Sequence, residues 1–239
     1  MIEGLELLHV AGPWMGVAVS YQARGLGTHL RARVPILTPS GVRVHFGLSV
    51  STPLTGTVHV REVVLGTELP ACCPERHINF DGSFCLGLEV PTPASEGEAI
   101  AWWSLLLGFL EMQLDARILR RWGQRSWRHG YAGVLQRELE DKCRAVPVEL
   151  RRIFELRAPI GADRRGAGRT GRSSHARALE ELADLLDQVE TAERRYWQDL
   201  VDKELTCCGT MDSCPLARAG PAPIILAASD ATHGLGAGR

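Results

Sequence analysis

Between Thr28 and Leu65 apolar and polar residues alternate over one run after another, a pattern that a half-buried sheet accommodates and a helix does not. Leu30, Ala32 and Val34 alternate with His29, Arg31 and Arg33, and Val42, Val44, Phe46, Leu48 and Val50 repeat the pattern. Each set then lies on one face of an extended strand. Pro39-Ser40-Gly41 separates the first two runs and Thr52 to Gly56 the next two; both stretches are turn chemistry. Thr57 to Leu65, with Val58, Val60 and Val64, closes the series. The spacing predicts three or four short antiparallel strands in meander order.

Past Pro70 the period disappears. Residues 71–98 hold three prolines and three glycines, which leaves room for turns but for no long element, and structured loops of this length tend to carry function. Ser95-x-x-Glu98 is a capping box that starts a helix, with Trp102, Leu105, Leu106, Phe109, Met112, Leu114 and Ile118 as its expected apolar face. A second helical region is expected from Tyr131 to Leu156, interrupted at Pro147. Gly161 to Ser174 reads as a flexible linker. Ala176 to Leu205 is the clearest helix, with Leu179, Leu182, Leu186, Val189, Tyr196 and Leu200 on one stripe. A strict heptad would put Glu193 and Lys203 in its seam, so packing on its own protein or a partner is favoured over a long coiled coil. Ala217 to Arg239 is expected to be a disordered tail.

Composition narrows the function classes. Lys and Arg number 27 against 28 Asp and Glu, for a net charge of -1, so nothing draws the whole chain to nucleic acid or anionic lipid. Arg157, Arg164, Arg165, Arg169, Arg172 and Arg177 face only Asp163 around the linker; solvated linkers share that composition, and nucleic acid is not expected as a partner. The apolar run Ala99 to Leu110 is far short of the roughly 20 residues of a membrane span, so no membrane partner is expected. The first twenty residues carry Glu3 and Glu6 without Lys or Arg, the wrong polarity for a secretory signal. Seven cysteines, an odd number at low density, fit a reducing, cytoplasmic setting.

His77-Ile78-Asn79-Phe80-Asp81-Gly82-Ser83-Phe84-Cys85-Leu86 puts an imidazole, a carboxamide and a thiol on one loop between meander and helix. A thiolate can accept an acyl group, and a carboxamide N–H beside it can stabilise the oxyanion that develops at the carbonyl. Gly82 lets the loop turn tightly, while Phe84 and Leu86 anchor it in the core.

The block resembles the ubiquitin-conjugating enzyme family, whose signature is His-Pro-Asn, a short loop and then Gly-x-x-Cys-Leu, after a meander and before a helix. The resemblance runs through His77, Asn79, Gly82, Cys85 and Leu86, over roughly Leu30 to Trp122. Ile78 stands where the family has proline, and the interval from Asn79 to Cys85 is shorter than in eukaryotic members. In this the chain looks like diverged bacterial members found in ubiquitin-like conjugation and antiphage operons. The resemblance implies an α+β fold, an antiparallel meander sheet with flanking helices, here followed by a helical C-terminal extension. It implies a transferase in which Cys85 holds the C-terminus of a ubiquitin-like modifier as a thioester, Asn79 stabilises the oxyanion and His77 braces the loop by hydrogen bonds. The implied partners are a separate ATP-dependent activating enzyme, the modifier and a target lysine, with no cofactor needed for transfer. Trp102-Trp103-Ser104 resembles the family's entry to the following helix, and Asp81 is a candidate base by proximity alone. The expected organisation is a catalytic domain over residues 1–125, a helical continuation over 126–158, the linker over 159–175, a long helix with a cysteine-rich end over 176–216, and the tail over 217–239.

Two other readings use the same residues. One is a catalytically inactive adaptor in which Cys85 is a buried hydrophobe; the other is a hydrolase with a histidine base for Cys85. The remaining cysteines suggest a structural zinc site drawn from Cys207, Cys208 and Cys214 with one of Cys72, Cys73 or Cys143. Alternatively, Cys72 or Cys73 bonds to Cys85 under oxidation and blocks it.

Overall fold

The alternating runs form a sheet because each buries one face against a single helix layer. The computed structural model describes residues 2–24, 27–38, 40–52, 57–87, 90–123, 128–146, 174–212 and 214–219. The expected helix beyond 146, the linker up to residue 173 and the tail beyond 219 lie outside the described residues. Strands β1 (Ala18–Arg24), β2 (Gly27–Leu37), β3 (Arg43–Ser51) and β4 (His59–Glu62) form one antiparallel sheet in the order β1-β2-β3-β4. Its register puts Leu30 opposite Val50 and Val50 opposite Val60, with Ala32 opposite Leu48 and Leu48 opposite Glu62. The apolar members of these rows are buried, as the alternation predicts.

β1 was not expected, because at the sheet edge most of its side chains are exposed and no clean alternation marks it. The last run also differs. It is a strand only over His59–Glu62 and leaves Val64 exposed. Inward-facing Glu62, 4% exposed, accepts hydrogen bonds from the Glu68 and Leu69 backbone N–H groups at 2.9 and 3.3 Å, stopping the strand in a turn.

Helix α1 (Ile2–Ala11) precedes the sheet and α2 (Glu96–Leu119) covers it. Leu5 and Leu8 of α1 are buried, and the Trp103 Nε1–H donates to the Leu8 carbonyl at 2.9 Å. α2 starts at the expected cap. Ser95 Oγ accepts from Glu98 N at 3.3 Å, and the Glu98 carboxylate reaches back to Ala94 N at 2.7 Å, one residue earlier than a strict capping box. Its buried face holds Trp102, Trp103, Leu106, Phe109, Leu110, Gln113 and Leu114, whereas Leu105, Met112 and Ile118 of the expected face are exposed. In so apolar a stretch several faces satisfy a 3.6-residue period, and the positions of α1 and the sheet choose among them. Trp102-Trp103-Ser104 accordingly lies inside α2 rather than at its entry.

Helix α3 (Tyr131–Ala145) pairs with α4 (Ser174–Asp202) through Leu135 and Leu139 against Leu182, Leu185 and Val189. Further along α4, Leu200 joins Cys73, Ala116, Met211, Cys214 and Leu216 in a second cluster. α4 therefore packs within its own chain, one of the two arrangements that the broken heptad leaves open. Residues 215–219 form a 3-10 turn, which takes in the first three residues of the expected tail. The fold is α+β, a four-stranded antiparallel sheet with flanking helices and a long C-terminal helix. No helix among the described residues is long and apolar enough to cross a membrane.

Candidate active site: the thiol loop

The loop after β4 is held by its own backbone. Cys73 and Ile78 exchange N–H···O bonds of 3.1 and 3.0 Å around a 3-10 turn at Pro74–Arg76. His77, at the end of that turn, has a φ of 56°, a left-handed conformation that histidine adopts more readily than most non-glycine residues. Its carbonyl accepts the Cys85 N–H at 2.8 Å, and Phe84 N donates to Val60 O of β4 at 2.8 Å. Thus Cys85 leaves the sheet edge from a fixed backbone position.

Asn79 to Ser83 form the tip, closed by Asn79 N to Ser83 O at 2.8 Å and Gly82 N to Asn79 O at 2.9 Å. Gly82 has a φ of 76°, and a Cβ there would stand 2.4 Å from a Leu65 methyl. Leu65 is exposed and can swing aside, but the backbone conformation stays costly. Gly82→Ala is expected to destabilise the fold by about 1–2 kcal/mol, measured by urea unfolding; an unchanged midpoint would mean that the turn relaxes freely.

Cys85 is an exposed residue whose sulfur faces the Gly87 carbonyl at 3.9 Å. Burial of the sulfur's inner side raises its thiol above the ordinary value, with a backbone hydrogen bond at Gly87 pulling the other way. Asn79 is at the exposed tip, and its side-chain amide donates to Ser83 Oγ at 3.0 Å, not to Cys85. Ser83 in turn donates to the Asp81 carboxylate at 2.6 Å, and that bond holds Asp81 below its usual range. Asp81 is therefore a weak base. His77 is 7% exposed and its Nε2 has no hydrogen-bond partner among the described residues. Burial, reinforced by the charge of His129, pushes it down to about 4, so the imidazole is neutral at pH 7. His77 contacts the loop through its carbonyl, which accepts the Cys85 N–H, and through its stacked ring.

Several supporting residues were not foreseen. The His129 ring lies on His77 with centroids 4.7 Å apart, and Tyr196 of α4 stacks on the other face of His129 at 5.1 Å. His129 Nε2 meets Pro74 O at 2.8 Å, while its Nδ1 meets Glu193 Oε1 at 3.0 Å and its backbone N–H donates to Glu193 Oε2 at 3.0 Å. Both ring nitrogens thus face oxygen acceptors. Burial alone would raise Glu193, but bonds from His129 and Trp197 outweigh it and carry the carboxyl below its ordinary value. Tyr196 is pushed up to about 12 by burial and then by the negative charges of Glu193 and, in their ionised forms, Cys85 and Cys72. The phenol thus lies within electrostatic reach of the candidate thiol. On the other flank Arg76, 2% exposed, donates to Gln113 Oε1 and Gln113 O at 2.8 Å each and to Thr210 Oγ1 at 3.4 Å. The available signals were weak: Glu193 as the acid in an otherwise apolar stripe, and Arg76 as a lone cation in a turn.

The seven cysteines are free thiols. Cys73, Cys207, Cys208 and Cys214 share the second apolar cluster, with Cys143 elsewhere against the α3–α4 core. Among the described residues no three His, Cys, Asp or Glu side chains gather as metal ligands. Cys72 faces the Ile78 carbonyl at 3.9 Å.

Comparison with known families divides the chain near the start of α3. Residues 22–124 match the model described as a prokaryotic E2 domain, E2 being the ubiquitin-conjugating class. Residues 134–216 match the one described as a cysteine-rich domain, C-terminal to E2 domain. No curated protein and no solved structure matches the chain. The first match contains the end of β1, β2 to β4, α2 and the thiol loop, and the second contains most of α3, all of α4 and the C-terminal cysteines. The meander, the thiol on the loop between sheet and helix, and the two matches in this order are consistent with a bacterial E2-like family: one segment is similar to a prokaryotic E2 domain, and the segment after it to a cysteine-rich domain found C-terminal to such domains.

Proposed function

We propose that the protein is an acyl carrier that accepts the C-terminal carboxyl of a ubiquitin-like modifier on Cys85 and passes it to a lysine amine of a target. The observation that carries this reading is an exposed thiol on a backbone fixed from both sides, within a segment matching an E2 domain. A carrier receives a donor already activated by a separate ATP-dependent enzyme, so it needs access and a fixed position more than an adjacent base. The Cys85 thiolate attacks the carbonyl of the incoming thioester, the donor's thiolate leaves, and the new thioester later yields to the amine. Asn79 has two amide hydrogens, and one goes to Ser83. The other is available to the oxyanion. The buried, neutral His77 offers Cys85 its carbonyl and not its ring, which disfavours the hydrolase reading. Transfer itself requires no cofactor, and the setting is a reducing cytoplasm.

The test combines the protein with ATP, the genomically adjacent activating enzyme and the modifier, and reads adducts on gels with and without reductant. A reductant-sensitive adduct absent from Cys85→Ala is expected. Absence of an adduct while the activating enzyme is charged would transfer support to the inactive adaptor.

A further inference from the structure

Cys73 and Cys208 lie 135 residues apart in the chain, yet their sulfurs are 2.9 Å from each other, inside ordinary van der Waals contact. Cys73 is buried at the bridge that closes the turn under the thiol loop, whereas Cys208 is half-buried and reaches the surface. Thr210 Oγ1 lies 2.9 Å from Cys208 Sγ. Beside them is the Arg76 guanidinium, whose partners Gln113 Oε1, Gln113 O and Thr210 Oγ1 are all neutral. A cation so deeply buried is costly unless a negative charge stands near it. The anion-forming groups within its electrostatic reach are Cys73 and Cys208, with Arg117 adding a second positive charge.

We propose that Cys73 and Cys208 form a thiol–disulfide site that takes hydroperoxide as oxidant and, once oxidised, locks the C-terminal segment onto the thiol loop. The sharing of one proton fits this division of labour. The hydrogen bond shared with Cys73, followed by the Thr210 bonds and the Arg76 charge, outweighs burial and lowers the Cys208 thiol, while the Cys73 thiol is raised. The more accessible, thiolate-like Cys208 attacks the peroxide. The O–O bond breaks, an S–O bond forms, and sulfur is oxidised to sulfenic acid as the peroxide is reduced to an alcohol or water. The Cys73 thiol then displaces the sulfenic oxygen, which leaves as water, and the S–S bond forms. Closing from 2.9 Å to the ~2.05 Å of a disulfide requires a small movement. The bond would clamp the residue preceding Pro74–Arg76, the turn whose following carbonyl holds the Cys85 N–H. The site rests on the sulfur geometry and is independent of the acyl-carrier reading.

The full-length reduced protein is treated with hydrogen peroxide, alkylated, digested with trypsin without reductant and sequenced by tandem mass spectrometry. The expected product joins residues 62–76 to residues 204–218 through Cys73 and Cys208 in most chains and disappears with dithiothreitol. It persists in Cys72→Ser, Cys207→Ser and Cys85→Ala and is lost in Cys208→Ser. In Cys73→Ser, dimedone is expected to trap sulfenic acid on Cys208 instead. A bond to Cys85, Cys207 or Cys214 would overturn the proposal. So would Cys73 and Cys208 both remaining thiols while Cys85 oxidises, or one zinc per chain protecting them both.

Discussion

Replacing Arg76 with leucine is expected to lower the unfolding free energy by about 3–5 kcal/mol. The change removes the donors of three hydrogen bonds while leaving the Gln113 side chain, the Gln113 carbonyl and Thr210 in place. Gln113 is 0% exposed, so its freed acceptors find no water, and each such group costs about 1–3 kcal/mol. Lysine restores the charge but not a planar fork reaching three acceptors, so Arg76→Lys should recover only part of the loss. Arg76→Leu combined with Gln113→Leu should be less destabilised than the sum of the single changes, since each removes the other's stranded partner. Urea unfolding followed by tryptophan fluorescence gives these differences. A loss below about 1 kcal/mol in Arg76→Leu would mean that water or another donor satisfies Gln113. Because Thr210 is also released, limited proteolysis should cut within residues 205–212 faster in the variant than in the wild type.

The rate at which iodoacetamide modifies Cys85 is expected to rise about 100-fold between pH 7 and pH 9. It should still be rising above pH 9, because burial lifts the thiol above its ordinary 9.0. Below its pKa the thiolate fraction grows about tenfold per pH unit, and only the thiolate reacts. A raised pKa therefore lowers reactivity at neutral pH and moves the plateau upward. His77 does not intervene, since it is neutral from about pH 4 upward, and Tyr196, pushed up to about 12, stays uncharged over the range. The rate is followed on the peptide containing Cys85. A plateau below pH 8 would show a stabilised thiolate and call for a cationic neighbour. For a carrier the slow neutral rate is useful, because it protects an exposed sulfur from adventitious electrophiles while an oriented thioester donor still reacts.

The strands β2 and β3 were legible because one face of each is fully buried, so their alternation is clean. β1 lies at the edge and α2 is apolar around most of its circumference, and there the three-dimensional neighbours decide what the local pattern leaves open. α1 had a readable signal in Leu5, Leu8 and Ala11 set against Glu3 and Glu6, three residues apart on one face. At the candidate site the loop's own members, His77, Asn79, Gly82 and Cys85, were readable because they are contiguous. Their supports come from Gln113, His129, Glu193, Tyr196 and Thr210, distributed over four other parts of the chain. The stripe of α4 shows that a face is buried but not which turn of it meets the loop. Stacking of His77 on His129, a residue between the two family matches, has no local signature at all.

A four-stranded meander has two lateral strands that could recruit a strand from another molecule, and here they are unequal. Outside β4, Phe84 N bonds to Val60 O, Arg61 bridges to Ser83, and Thr57 bridges to Pro91. The thiol loop itself thus occupies the hydrogen-bonding groups that would otherwise template an added strand. On the opposite side β1 pairs, among the described residues, only with β2. Self-association by strand addition is consequently directed to Ala18–Arg24, at the far side of the sheet from Cys85, and a stacked or polymerised sheet would leave the thiol facing outward.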